Sequence, residues 1–233
     1  MSWRDRLGRL AGAAVQAGPI LPARDQLRAW RRAQGKMRWG IEEGEFQAVP
    51  PPPELDERER QEGYLGAVLC YGFARPGSRR ADVVESGKQA WLYARRRHRR
   101  IWQCDYADFD KPQNLRLRPG APARPRGFYW IKFHPGPEFR NWSVNRFRRQ
   151  LDDATGAGPE GFQLLCITHP HLARLMEQGR MNFMALADYD LAPHGFNDFY
   201  EAPQLFCSNR TLGFGVGNLD GTYPLFGIPR IKF

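Results

Sequence analysis

Two groups of side chains in this sequence have the types and spacing to do chemistry. The first is Arg95, Arg96, Arg97, Arg99 and Arg100, with His98 among them and Trp91, Tyr93 and Trp102 close by. Guanidinium groups grip phosphate oxygens through paired hydrogen bonds, and aromatic rings stack on unpaired bases. Cations near a helix C-terminus also complement its dipole. That influence fades within a turn, so five arginines in six residues exceed what the dipole can use. Arg79, Arg80 and Lys88 upstream, and Arg146, Arg148 and Arg149 downstream, extend the same expected phosphate-gripping surface. Arg116, Arg118, Arg124 and Arg126 are spaced along a Pro-rich loop, where they would either wrap a nucleic-acid backbone or keep the loop solvated.

The second group is His169, His171, Asp188, Asp190 and His194. Imidazole nitrogen and carboxylate oxygen are suitable ligands for a divalent metal such as zinc, manganese or magnesium, and a metal so held activates water for hydrolysis. This reading needs strands over 161–168 and 181–190 to lie parallel, with their C-terminal ends at one sheet edge. The plainer reading makes Thr168 or His169 a helix cap, Pro170 the first helical residue, and His171 a solvent-facing side chain.

Other patterns carry less. Gly213, Gly215 and Gly217 in LGFGVGN lack the spacing of a dinucleotide loop. They alternate instead as a strand with one bare face, against which backbone or an aromatic ring is expected to pack. Asp105, Asp108 and Asp110 read as loop caps, and His134 before a Pro-Gly turn reads as structural.

The elements that must position these groups follow from local pattern. Leu27 and Trp30 share one side of a helix around 24–34, and 81–102 is a helix by length and composition. FYWIKF (128–133) is a strand by its aromatic and β-branched content. Ser143 is expected to cap a helix containing Val144, Phe147 and Leu151, with Trp142 and Phe147 as its hydrophobic staple. GFQLLCIT (161–168) and MNFMALADYDL (181–191) read as strands around a short helix closed by Gly179. The tail reads as antiparallel strands, with Asp220-Gly221 as a hairpin turn. The expected class is therefore α+β (or α/β), a mixed sheet with flanking helices preceded by an N-terminal helical arm.

Four prolines and a charged stretch over 47–63 suggest a division into a basic arm (1–45), a Pro-rich linker (46–62) and a main domain (63–233). The 233 residues carry a net charge of +10, unevenly spread. Residues 1–40 hold +7, 41–74 hold −6, 75–150 hold +13 and 151–233 hold −4. The +13 segment would attract a polyanion, so RNA or DNA is the leading expected partner class. No apolar run is long enough to span a membrane. The Arg-rich amphipathic start (residues 2–16) leaves peripheral contact with a membrane surface, or organelle targeting, as alternatives to simple docking. Cys70, Cys104, Cys166 and Cys207 are far apart, with no C-x-x-C pair, which suggests a reducing, cytoplasmic compartment. The sequence thus points first to a non-catalytic nucleic-acid-binding protein. A metal-dependent, nuclease-like hydrolase is one alternative, and an interaction protein meeting an acidic partner or anionic membrane is another.

Overall fold

The computed structural model describes residues 20–74, 77–78, 80–97, 100–105, 109, 114–150, 155–172, 183–192, 199–208, 211–222 and 226–233. Its helices are α1 (Ala23–Met37), α2 (Glu43–Gln47), α3 (Glu57–Glu62), α4 (Val83–Arg97), α5 (Val144–Gln150) and α6 (Pro159–Gln163). Its strands are β1 (Gly66–Gly72), β2 (Ile101–Gln103), β3 (Leu115–Leu117), β4 (Gly127–His134), β5 (Thr155–Gly156) and β6 (Phe183–Ala185). They continue with β7 (Tyr189–Leu191), β8 (Glu201–Ser208), β9 (Thr211–Asn218), β10 (Phe226–Gly227) and β11 (Arg230–Lys232).

The strands form two sheets. One is antiparallel, in the order β1-β4-β11-β5. In the other, β8 is central: β9 runs antiparallel along one side, with β2 parallel beyond it. β6 and β7 share the other side of β8, and lead outward to β10 and β3. This is the α+β architecture expected, with a mixed sheet and flanking helices.

The expected strand over 161–168 is a helix. α6 starts at Pro159 and widens into a π-helical turn, Leu164–Thr168, closed by the His169 N–H donating to the Leu164 carbonyl at 2.7 Å. Every residue from Pro159 to Thr168 is buried. A helix covered on all sides has no solvent face to show a 3.6-residue period, so the apolar run Leu164–Thr168 looks like a buried strand. The segment 181–191 is also broken: β6 and β7 are separated by a turn in which the Tyr189 N–H donates to the Leu186 carbonyl. Among the described residues 161–168 does not pair with 183–190, so metal ligands are not placed at a common sheet edge there.

β1 is an edge strand whose outer backbone groups are satisfied by side chains. The Gln26 amide accepts from the Leu69 N–H and donates to the Ala67 carbonyl, and Trp30 Nε1 donates to the Leu69 carbonyl. Gln163 from α6 does the same for both Tyr71 groups. Buried backbone groups need such partners, and here two glutamines stand in for a missing strand. The described part of the N-terminal arm therefore lies against this sheet, with Trp30 fully buried and its ring 5.8 Å from that of Phe128. The Pro-rich segment is pinned too, because the Pro50 carbonyl accepts from Trp130 Nε1.

α5 begins as expected, with the Ser143 hydroxyl accepting from the Arg146 N–H. Phe139 lies between the two staple residues, its ring 5.1 Å from both Trp142 and Phe147. The tail hairpin is β8–β9, with Ser208 opposite Thr211. Asp220-Gly221 forms a turn after β9, but it does not join a hairpin.

Candidate nucleic-acid interface

α4 buries Ser86, Gly87, Ala90, Trp91, Tyr93 and Ala94, a stripe one or two helical turns apart that packs on the core. That burial drives the last turn outward, and Arg95, Arg96 and Arg97 are exposed, as is Arg100 just before β2. Among the described residues none of these four guanidiniums pairs with a carboxylate. Arg97 lies 6.0 Å from the Tyr93 ring. The end of α1 meets the same place, where Lys36 Nζ donates to the Arg96 carbonyl at 3.2 Å and Arg96 donates back to the Lys36 carbonyl at 3.4 Å. Lys36 therefore joins the patch. Sequence reasoning misses it because sixty residues separate the two helix ends.

β2 alternates as an edge strand should. Gln103 points inward and accepts from Trp91 Nε1, while Trp102 on the opposite face is 48% exposed. Trp102 lies against Phe206 of β8, ring centroids 5.4 Å apart and tilted by 52°. The two rings cover the bare glycine face of β9: a Cβ at Gly213 would strike the Phe206 ring, and one at Gly215 would touch Trp102 at 3.5 Å. An aromatic ring on that face is what the glycine alternation implies.

The other basic residues divide. Arg80 is exposed, and Lys88 is half-buried with a partner. On α5, Arg149 is exposed, and Arg146 lies over the Trp142 ring at 4.3 Å. Arg148 turns inward instead, bonding the Ala187 and Tyr189 carbonyls and pairing with Asp190 at 2.9 Å. It is committed to the fold and is not available as an external phosphate contact. Arg79 and Arg99 lie outside the described residues, as do His194 and residues 2–16.

The His/Asp group is put to other uses. Asp188 is fully buried and pairs with Arg124 at 2.8 Å and Arg118 at 2.9 Å. Arg124 also pairs with Glu160 at 2.8 Å, and the Tyr129 hydroxyl donates to the same Glu160 oxygen. Burial lowers the pKa of Arg124, but the Glu160 and Asp188 carboxylates outweigh it and hold the guanidinium above its usual value. Burial likewise raises the Glu160 pKa, and Arg124 overcomes that to leave it low. Arg116 lies 3.8 Å from Asp190 and over the Phe199 ring.

His169 is fully buried, with its Nε2 accepting from the Leu21 N–H and its Nδ1 bonded to the Thr168 hydroxyl. Burial, helped by the neighbouring His171, pulls its pKa down to about 3. A neutral imidazole with both nitrogens occupied is a structural bracket for the incoming chain. His134, read as structural, holds the Glu62 carbonyl and the Gly136 N–H. Among the described residues no group of three or more His, Cys, Asp or Glu side chains is arranged to hold a metal ion. No known family model, curated protein or solved structure matches this chain.

Proposed function

We propose that this protein binds nucleic acid through the phosphate backbone, without catalysis. The grip comes from Arg95, Arg96, Arg97 and Arg100, with Lys36 beside them. The observation that carries this reading is the contrast in pairing: these four guanidiniums are exposed and have no carboxylate partner among the described residues, whereas Arg118, Arg124 and Arg148 are matched by internal carboxylates. Like charges concentrated without internal counter-charge favour an external polyanion. Phosphate oxygens are its best-matched groups, because each accepts the paired donors of a guanidinium. All four cysteines are free thiols, which supports a reducing, cytoplasmic location.

The test is a salt series of binding to labelled oligonucleotides, comparing the wild type with a variant carrying Arg95→Ala, Arg96→Ala, Arg97→Ala and Arg100→Ala. Affinity is expected to fall steeply with salt. The slope of log affinity against log salt should shrink in the variant by about 0.7–0.9 for each phosphate contact removed. Absence of binding by the wild type at low salt, or an unchanged slope in the variant, overturns the reading.

A further inference from the structure

Resting on the phosphate-binding reading, we infer that the strand held at this patch is unpaired, and that one of its bases stacks on Trp102. Among the described residues only Trp102 and Phe233 are large hydrophobic side chains left exposed. Trp102 is the one next to cations with no carboxylate partner among the described residues: Arg100 is two residues before it in the chain, and Arg97 ends the helix before that.

The ring is held in place. The ring lies over Gly215, where a Cβ would meet it at ordinary contact distance, Phe206 flanks it at 5.4 Å, and the parallel pairing of β2 with β9 fixes the strand that carries it. An indole fixed this way loses little freedom when a second ring covers it. At the edge of the sheet the ring stays 48% exposed, which is the surface a flat partner would cover.

That partner's chemistry follows from what surrounds it. A base inside a duplex already has both faces stacked on its neighbours, so it has no face to offer an aromatic platform. An unpaired base has one, and its own phosphates then fall near the flanking guanidiniums. A duplex could use the arginines but would leave Trp102 exposed. Cation and ring together therefore select single-stranded nucleic acid, with little sequence preference because every base has a π-face.

The experiment measures binding of a labelled oligothymidylate and of a mixed-sequence duplex of equal length at low salt. It compares wild type with Trp102→Phe and Trp102→Leu, each first checked for an unchanged unfolding midpoint. The single strand is expected to bind more tightly than the duplex. Trp102→Phe, which keeps a stacking ring, should stay within about threefold, whereas Trp102→Leu, which keeps apolar bulk alone, should lose about tenfold or more for the single strand and nothing for the duplex. Equal binding of both nucleic acids, or equal behaviour of the two variants, overturns the stacking inference and leaves the phosphate grip standing. Binding of neither nucleic acid by the wild type removes both.

Discussion

Arg124 and Arg97 carry the same side chain to opposite ends. Arg124 is 2% exposed and lies between two carboxylates, Glu160 and Asp188, while Arg97 ends an amphipathic helix in solvent. The same split separates Arg118 and Arg148, paired with Asp188 and Asp190, from Arg95, Arg96 and Arg100. The carboxylates that meet the inward arginines all come from the mildly acidic last third of the chain. Part of the +13 charge of residues 75–150 is therefore neutralised within the fold, where it joins β7 to the turn between β5 and α6. The α4 end holds charge that no carboxylate among the described residues meets. A count of charges along a sequence overstates the external field, and pairing decides how much of it remains.

The largest way to break this contrast is Arg124→Ala. It strands Glu160 and Asp188 in the core without their shared cation, and loss of one partner from a buried ion pair costs about 3–5 kcal/mol. Urea unfolding should show that loss as a lower midpoint, while nucleic-acid affinity of the folded fraction stays unchanged. A cost under about 1 kcal/mol would mean that the cluster is solvated and that inward and outward arginines do not differ in kind.

Acid provides the next largest effect. His169 and His134 are both buried, with folded pKa values of about 3 and about 4 against an ordinary 6.5. Burial is the first cause for each, reinforced by His171 for the one and Arg230 for the other. The unfolded chain therefore takes up protons that the folded chain refuses. The stability is fully present above pH 6.5 and falls as the pH drops from there towards 4. By pH 5 each histidine should have cost about 2 kcal/mol, which unfolding curves measured between pH 7 and 5 would show. His169→Gln retains an acceptor for the Leu21 N–H and should remove about half of that dependence. Acid therefore acts on the buried region without any substitution there or at the patch.

What could be read in advance was the local chemistry. The Ser143 cap, a helix within 81–102, a strand over 128–133 and close packing on the glycine face of β9 each depend on residues within a few positions, or on a bare surface that something must cover. What could not be read was non-local. The turn Leu164–Thr168 that continues α6 is buried on every side and mostly apolar, and its run of apolar letters hid the helical period. Arg148 and Arg149 are alike as letters, and only a carboxylate some forty residues on, Asp190, distinguishes them. Gln26 looks like an ordinary polar residue of a helix, and Gln163 like one of a strand, until β1 is seen to lack a neighbour. The basic patch was legible in α4, but its extension through Lys36 was not.

The adjacent pair on α5 sharpens the comparison at smaller scale. Arg148→Ala removes donors from the Ala187 and Tyr189 carbonyls and the cation paired with Asp190, all of them buried. That should cost about 1–3 kcal/mol in thermal or urea unfolding. Arg149→Ala, one residue later and exposed, should stay within about 0.5 kcal/mol. Equal costs for the two would show that direction relative to the core is not what sets an arginine's contribution here.

The smallest stability effect belongs to the four arginines at the α4 end, replaced together by alanine. Two opposing changes nearly cancel. The helix loses cations that complement the negative end of its dipole, worth about 0.3–1 kcal/mol for those in the last turn. It also loses the mutual repulsion of clustered like charges, which has the opposite sign. Alanine is the better helix former, which adds slightly to stability. The net shift should lie within about 0.5 kcal/mol, read from urea midpoints. Both electrostatic contributions are exposed, so salt screens them, and the midpoints of variant and wild type should converge at molar salt. Arg124→Ala should remain destabilised at that salt, because its partners are buried away from mobile ions. A quadruple variant that unfolds as easily as Arg124→Ala would place these arginines in the structure of the protein and remove them from its binding surface.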